Sequence, residues 1–403
     1  MADVRAIADH FNQSDRCGTV PSGSQANPAP SKPSLRIAQI APLYESVPPQ
    51  LYGGTERVVS WLTEELVGLG HEVTLFASGD SRTSGHLVPV CPTALWRDPE
   101  VRETLPQHMR MLELVFRDLS RFDVIHFHCD YIHFPLVQRL PCANVSTLHG
   151  QIHLHDVKTL FGEYSELRLV SISHAQRRPL PGANWQATVY HGLPRSLHAF
   201  EPNSGNYLAF LGRISPEKRL DRAIEIARRA GMPLKVAAKI YDEDRPYFES
   251  TIAPLLSKSH SFVEFIGEVG GERKNEFLRG AAALLFPIDW AEPFGLVMIE
   301  SLACGTPVIA WRNGSVPEII EHGATGFVVD TLDEATACVG RISEIRRARC
   351  RRTFEERFDS HRMALDYLTV YRRLIADCAA GARVQARYED LYEPHSRWSR
   401  LNG

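Results

Sequence analysis

Residues 283–305 read Ala283-Leu284-Leu285-Phe286-Pro287-Ile288-Asp289-Trp290-Ala291-Glu292-Pro293-Phe294-Gly295-Leu296-Val297-Met298-Ile299-Glu300-Ser301-Leu302-Ala303-Cys304-Gly305. The apolar run Ala283 to Phe286 reads as a buried strand, and Pro287 stops it. A short loop with Asp289, Trp290 and Glu292 follows. Pro293-Phe294-Gly295 opens a helix that ends near Gly305-Thr306-Pro307, where glycine and proline hold their usual stop positions. A helix start beyond a strand end is an anion site, because its first amides are unpaired and lie at the positive end of the dipole. Two carboxylates flank it: Glu292 just before the first turn and Glu300 inside the helix. Amides suit phosphate, and carboxylates accept hydrogen bonds from sugar hydroxyls.

Working outward, the 403 residues exceed one ordinary domain and predict two. A composition of 44% hydrophobic and 23% charged residues fits a soluble globular chain. The net charge of −3 argues against a dedicated nucleic-acid binder. No apolar run is long enough to cross a membrane, and the start lacks the pattern of a secretory signal. The eight cysteines form no C-x-x-C pair. Several lie in apolar runs, so reduced thiols in a cytoplasmic enzyme are expected.

The pattern along the chain predicts an α/β protein. Residues 1–33 read as a disordered polar segment. A first Rossmann-like lobe spans 34–195, with strands expected near 35–40, 73–76, 123–128, 144–148, 167–172 and 187–190. Its first strand leads through a proline-rich loop to Gly53-Gly54 and a helix from Thr55 to Leu69, where glycines permit close approach of a ligand. No G-x-G-x-x-G fingerprint and no P-loop follows a strand, which disfavours a nicotinamide-dependent oxidoreductase. Residues 104–121 form a helix of mixed charge, which favours a core role over a membrane surface. A linker at 196–206 precedes a second lobe at 207–360, with strands near 207–211, 234–238, 262–265, 283–286, 307–310 and 327–329. A helix at 361–380 follows, then a tail at 381–403 that the pattern does not place. Short apolar strands alternating with helices make parallel sheets covered on both faces. Ligands bind beyond their strand ends, so the lobes would face each other across a cleft.

Arg213 and Lys218, in the turn after the first strand of the second lobe, suit a diphosphate and a departing phosphate. As paired glycosidase acids, Glu292 and Glu300 are disfavoured by their different local settings. His126 and His128 are read as facing opposite sides of their strand, and His153 and His155 likewise if that segment is extended, which argues against a shared metal. Asp242-Glu243-Asp244 has a D-x-D form but precedes a helix, so N-terminal capping is expected of it. Five arginines between Arg346 and Arg352 are expected on a solvated helix face. His149 stands alone at a strand end.

Taken together, these pieces resemble glycosyltransferase family 4, retaining nucleotide-sugar transferases of the GT-B fold. The resemblance runs from about Leu35 to about Ala376. It rests most on Glu292 to Glu300, which matches the family's E-x7-E motif. It is joined by Gly53-Gly54, Gly212-Arg213 with Lys218, Gly305-Thr306-Pro307-Val308, Gly314-Ser315-Val316-Pro317-Glu318 and Gly323-Ala324-Thr325-Gly326-Phe327. The resemblance implies two lobes facing across a cleft, a first lobe for the acceptor, a second for the donor, and a C-terminal helix crossing back to the first. It implies a nucleoside diphosphate sugar as co-substrate, with UDP-glucose the first guess, and no metal. Gly53 and Gly54 would lie by the donor phosphates, Arg213 and Lys218 would neutralise the diphosphate, and Glu292 and His149 would contact the transferred sugar. Phe294, Gly295, Leu296 and Val297 would present amides, Glu300 would bind the ribose, and Glu268 and Val269 would lie against the base. Front-face attack through an oxocarbenium-like state would retain configuration. Three positions depart from the family pattern: Gly150 where Asp is common, His191 where Asn is frequent, and Ala237-Ala238-Lys239 where a glycine-rich turn is usual. The rival reading is a catalytically silent nucleotide-sugar-binding protein of the same fold. The acceptor is not identified.

Overall fold

Short runs rich in Val, Ile and Leu build two all-parallel sheets in the computed structural model, which describes residues 33–392 apart from 51–52, 138–139, 141 and 153–154, with only the backbone for 381–392. The expectations for 1–32, His153 and 393–403 fall outside the described residues. The first sheet holds β1 (Arg36–Ile40), β2 (Glu72–Ala77), β3 (His86–Pro89), β4 (Val124–Phe127), β5 (Ala143–Thr147), β6 (Leu169–Ser171) and β7 (Trp185–Thr188). The second holds β8 (Leu208–Arg213), β9 (Leu234–Lys239), β10 (Val263–Gly267), β11 (Ala283–Phe286), β12 (Val308–Trp311) and β13 (Gly326–Val329). Every residue of β4, β5, β11, β12 and β13 is buried, as strands covered by helices on both faces must be.

The strand orders are β3-β2-β1-β4-β5-β6-β7 and β10-β9-β8-β11-β12-β13. In each lobe the chain winds outward from its first strand, then crosses to the other side. The reversal opens a crevice between β1 and β4 in one lobe and between β8 and β11 in the other. β3 is absent from the sequence reading. It is a four-residue edge strand with no buried residue and a terminal Pro89, so it carries neither alternation nor an apolar run.

The chain crosses between lobes twice. After the helix Arg347–Arg357 it re-enters the first lobe, where Leu193 N–H donates to Phe358 O at 2.9 Å and Ser360 N–H to Leu193 O at 2.9 Å. The helix Ser360–Tyr392 then packs on the helix Gly54–Gly68 and on β4 and β5. It runs past the expected end at 380. Tyr367 and Tyr371 are fully buried at that contact. A second tie is Glu318, which accepts from the His174 and Ala175 amides at 2.8 and 2.6 Å and from the Tyr190 hydroxyl at 3.0 Å.

The arginine-rich segment corrects an expectation. Arg347 is buried and donates to the carbonyls of Glu201, Ala281 and Arg279 and to Thr306 Oγ1 at 2.7–2.9 Å. Arg351 donates to the carbonyls of His198, Ala303 and Arg195 at 2.8–3.0 Å. A guanidinium carries five donors in a fixed fork, so these two bind the linker to the second lobe instead of facing solvent.

Candidate active site

The loop after β11 is shaped from below by the turn after β12. Ser315 N–H donates to Glu292 O at 3.0 Å, Ser315 Oγ to Phe294 O at 2.7 Å, and Asn313 Nδ2 to Ile288 O at 2.9 Å. Gly314, at φ +56°, lies so close that a Cβ would stand 2.2 Å from Glu292 O. Only glycine tolerates both the approach and that backbone angle. The helix begins at Leu296, with Gly295 at φ +81° as its N-cap. Phe294, just before it, is buried against His191, with ring centroids 4.8 Å apart. The Leu296 and Val297 amides stand at the open helix start.

This start faces a cavity of about 850 Å³ between the lobes, within the size range of small-molecule sites. Gly53, Gly54, His149, Arg213, Lys218, Glu268, Val269, Glu292, Phe294, Gly295, Leu296, Val297 and Glu300 all line it. The residues singled out in the sequence are therefore brought to one place from both lobes.

On the second-lobe wall each of three cations holds a carboxylate. Lys218 Nζ lies 2.6 Å from Glu292 Oε2 and 4.4 Å from the centre of the Trp290 ring. Lys274 Nζ lies 2.5 Å from Glu300 Oε1. Arg213 is gripped by Asp244 through Nε and through Nη2 at 2.9 Å, and Nη2 also meets Glu243 at 2.7 Å. Burial alone would raise the Glu300 carboxyl, but Lys274 and His198 outweigh it and hold it below the usual carboxylate range. Asp244 is thus a partner of Arg213 and not the expected helix cap; no side-chain cap bond forms at either adjoining helix. Lys274 and the pairing of Asp244 escaped the sequence reading, since single charges on a polar helix and turn give no signal of their partners.

The first-lobe wall is built differently. His126 and His128 lie on one face of β4, with ring centroids 3.9 Å apart. The expectation that they face opposite sides is wrong, because residues two apart on a strand share a face. Both are fully buried and make a chain of hydrogen bonds. His128 Nδ1 meets His149 Nε2 at 2.9 Å, and His128 Nε2 meets Gln39 Oε1 at 2.7 Å. Gln39 Nε2 donates to the Tyr371 hydroxyl at 3.1 Å. That hydroxyl meets His126 Nδ1 at 2.6 Å, and His126 Nε2 meets Thr147 Oγ1 at 2.7 Å. His149 therefore touches the cavity on one side and is tied, through His128 and Gln39, to Tyr371 of the returning helix. Its Nδ1 is buried without a hydrogen-bond partner among the described residues, and its ring stacks on His191 at 5.2 Å. Burial pushes His149 down to about 3. Burial and then neighbouring histidines push His126 and His128 down as well. Burial, with Glu45 and Asp130 nearby, pushes the Glu56 carboxyl up to about 7. Among the described residues no three His, Cys, Asp or Glu side chains converge on a metal position.

The chain is similar to known proteins over both lobes. Residues 198–356 match the family model described as glycosyl transferases group 1, and residues 52–213 match that of glycosyltransferase family 4. An N-acetyl-alpha-D-glucosaminyl L-malate synthase of Bacillus anthracis is 26% identical over 379 residues, covering 81% of this chain and 95% of that protein. Among solved structures, AviGT4, a glycosyltransferase involved in avilamycin A biosynthesis, superposes with a TM-score of 0.65 at 27% identity, over 85% of this chain and 98% of that one. HepE of Anabaena, solved with UDP and glucose, shares the fold at a TM-score of 0.67 and 14% identity, over 84% of this chain and 100% of its own. The two-lobed α/β arrangement is the GT-B fold.

Proposed function

Because the chain belongs to the family 4 glycosyltransferases, we propose that it moves a hexosyl group from a nucleoside diphosphate sugar to an acceptor hydroxyl with retention at the anomeric carbon, and that UDP-glucose is the donor to try first. The observation that carries this reading is the single cavity that gathers Arg213, Lys218, Glu292, Glu300 and His149 around one helix start. Arg213 and Lys218 bind the diphosphate and offset the charge that grows on it as the anomeric bond breaks. The Leu296 and Val297 amides add to that field at no cost in reorganisation. Glu300 takes the ribose hydroxyls, while Glu292 and His149 take those of the sugar. Glu268 and Val269 lie against the base, and Gly53 and Gly54 let the first lobe close on the phosphates.

In the reaction the bond from the anomeric carbon to the diphosphate oxygen breaks, and the acceptor oxygen bonds to that carbon from the same face. The acceptor proton passes to the departing phosphate. Glu292 holds Lys218 at 2.6 Å, which suits electrostatic positioning better than nucleophilic attack. Arg213, Lys218 and the helix start already serve the leaving group, so the chemistry proceeds without a metal. The described cysteines are all unpaired, which supports a reducing, cytoplasmic setting. No helix among the described residues is long and apolar enough to cross a membrane.

The test is product formation from UDP-, GDP- and ADP-sugars with EDTA present. Transfer or donor hydrolysis that survives the chelator is expected. Binding without turnover of any donor would favour a catalytically silent binding protein, and loss of turnover in EDTA would overturn the metal-independent mechanism.

A further inference from the structure

The cavity has a wall that the donor leaves unused. On the first lobe, Leu95 N–H donates to Leu43 O at 2.9 Å and Trp96 N–H to Tyr44 O at 3.1 Å, so segments 43–44 and 95–96 run paired. His108, from the helix Leu105–Arg117, accepts the Leu43 N–H at Nε2 (3.4 Å) and keeps Nδ1 on Thr104 O (2.9 Å). The pairing fixes a shelf on which the Tyr44 and Trp96 rings lie 5.2 Å apart, tilted by 32°. Both rings line the cavity, yet Trp96 is 61% exposed. Tyr131, also on this wall, is 49% exposed. An indole left this open on pinned backbone is apolar surface held ready for a partner with a flat apolar face.

Charge narrows the partner. The second-lobe wall brings Arg213, Lys218, Lys239 and Lys274 to the cavity. The first-lobe wall brings Arg57 against Glu56 and Asp130. With one cation to two carboxyls, this wall offers an anion less to pair with than the four cations opposite do. A sugar ring fits both features. Its C–H face packs on an aromatic ring, and the hydroxyls at its edge donate to carboxyl oxygens.

We propose that the Tyr44–Trp96 shelf is the acceptor subsite and that the acceptor is an uncharged sugar ring, stacked on Trp96 and recognised through its hydroxyls by the carboxyl groups of the same wall. This rests on the transferase reading above. It separates this chain from proteins whose names specify anionic acceptors, such as L-malate in the Bacillus anthracis relative.

The test uses the full chain and whichever nucleotide sugar gives the largest thermal shift. Methyl glucosides and maltose are compared with L-malate and inositol phosphate as acceptors. Transfer to the neutral sugars with kcat/KM at least about tenfold above the anions is expected, the discrimination that one stacked ring supplies. Trp96→Ala is expected to raise the KM for the neutral acceptor about tenfold, and Trp96→Phe to restore most of it. Preference for the anions, no transfer to any neutral sugar while donor is still consumed, or an unchanged acceptor KM in Trp96→Ala would overturn the proposal. The wild-type ranking decides it even if Trp96→Ala does not fold. Absence of any donor-induced shift in the wild type would instead overturn the transferase reading.

Discussion

The two walls of the cleft handle polarity in opposite ways. The second lobe keeps charges and pairs them: Arg213 with Asp244, Lys218 with Glu292 and Lys274 with Glu300. The first lobe keeps histidines neutral, by burying them and spending both ring nitrogens of His126 and His128 on neighbours. Paired ions can exchange partners with a diphosphate at little net change in charge. Neutral imidazoles offer direction without attracting anions. The difference fits the proposed reading, in which the cations of one wall take the diphosphate and His149 of the other takes a sugar hydroxyl.

The largest effect is expected on the charged wall. Lys218→Ala removes a cation and leaves Glu292, which is only 12% exposed at its side chain, without its partner. A fall in kcat/KM of about 100-fold or more is expected, comparable to deleting one preorganised donor at a developing charge. Steady-state rates at saturating acceptor measure it, and a loss under about threefold would remove Lys218 from the leaving-group role.

Glu300→Ala should weaken donor binding by about 1–3 kcal/mol, the usual cost of losing a charged hydrogen-bonding group. Calorimetric titration with the preferred donor measures it, and an unchanged affinity would sink the ribose assignment. On the neutral wall, Tyr371→Phe strands Gln39 Nε2 and His126 Nδ1 in the core. It should cost stability by about 1–3 kcal/mol, read from urea denaturation. A null effect there would mean that the histidine chain does not depend on the returning helix.

The smallest effect is a pH dependence of opposite sign in the two kinds of buried group. His149 ionises near 3 when folded against an ordinary 6.5. Its contribution is complete above about 6.5 and is lost as pH falls from there toward 3. Glu56 ionises near 7 when folded against an ordinary 4.5. It binds its proton more tightly in the folded state, so its contribution fades as pH rises from 4.5 to 7. Glu56→Gln should therefore stabilise the protein more at pH 8 than at pH 5. Thermal melts across that range would reverse the assignment if the gain were larger at pH 5.

Much of this was legible in the sequence where local pattern carried the information. The strand, loop and helix at 283–305 announce themselves through an apolar run, a proline and a glycine. Glu292 and Glu300 stand out because they bracket that helix start. What stayed hidden is whatever depends on a partner far along the chain. His126 and Tyr371 are 245 residues apart, and Gln39 and Tyr371 are 332 apart. Nothing in the spacing of either predicts the bond. Arg347 looked like one more solvated arginine because its acceptors are backbone carbonyls, which no sequence displays. The error at His126 and His128 was of another kind: the period-two rule already places them on one face.

The most direct measurement is thermal denaturation of the wild-type chain with UDP-, GDP- and ADP-sugars, since a ligand that binds only the folded state raises its stability. The account predicts that at least one nucleotide sugar raises Tm and that Arg213→Ala loses most of the rise. No shift with any nucleotide sugar, or a shift that Arg213→Ala leaves intact, would contradict it.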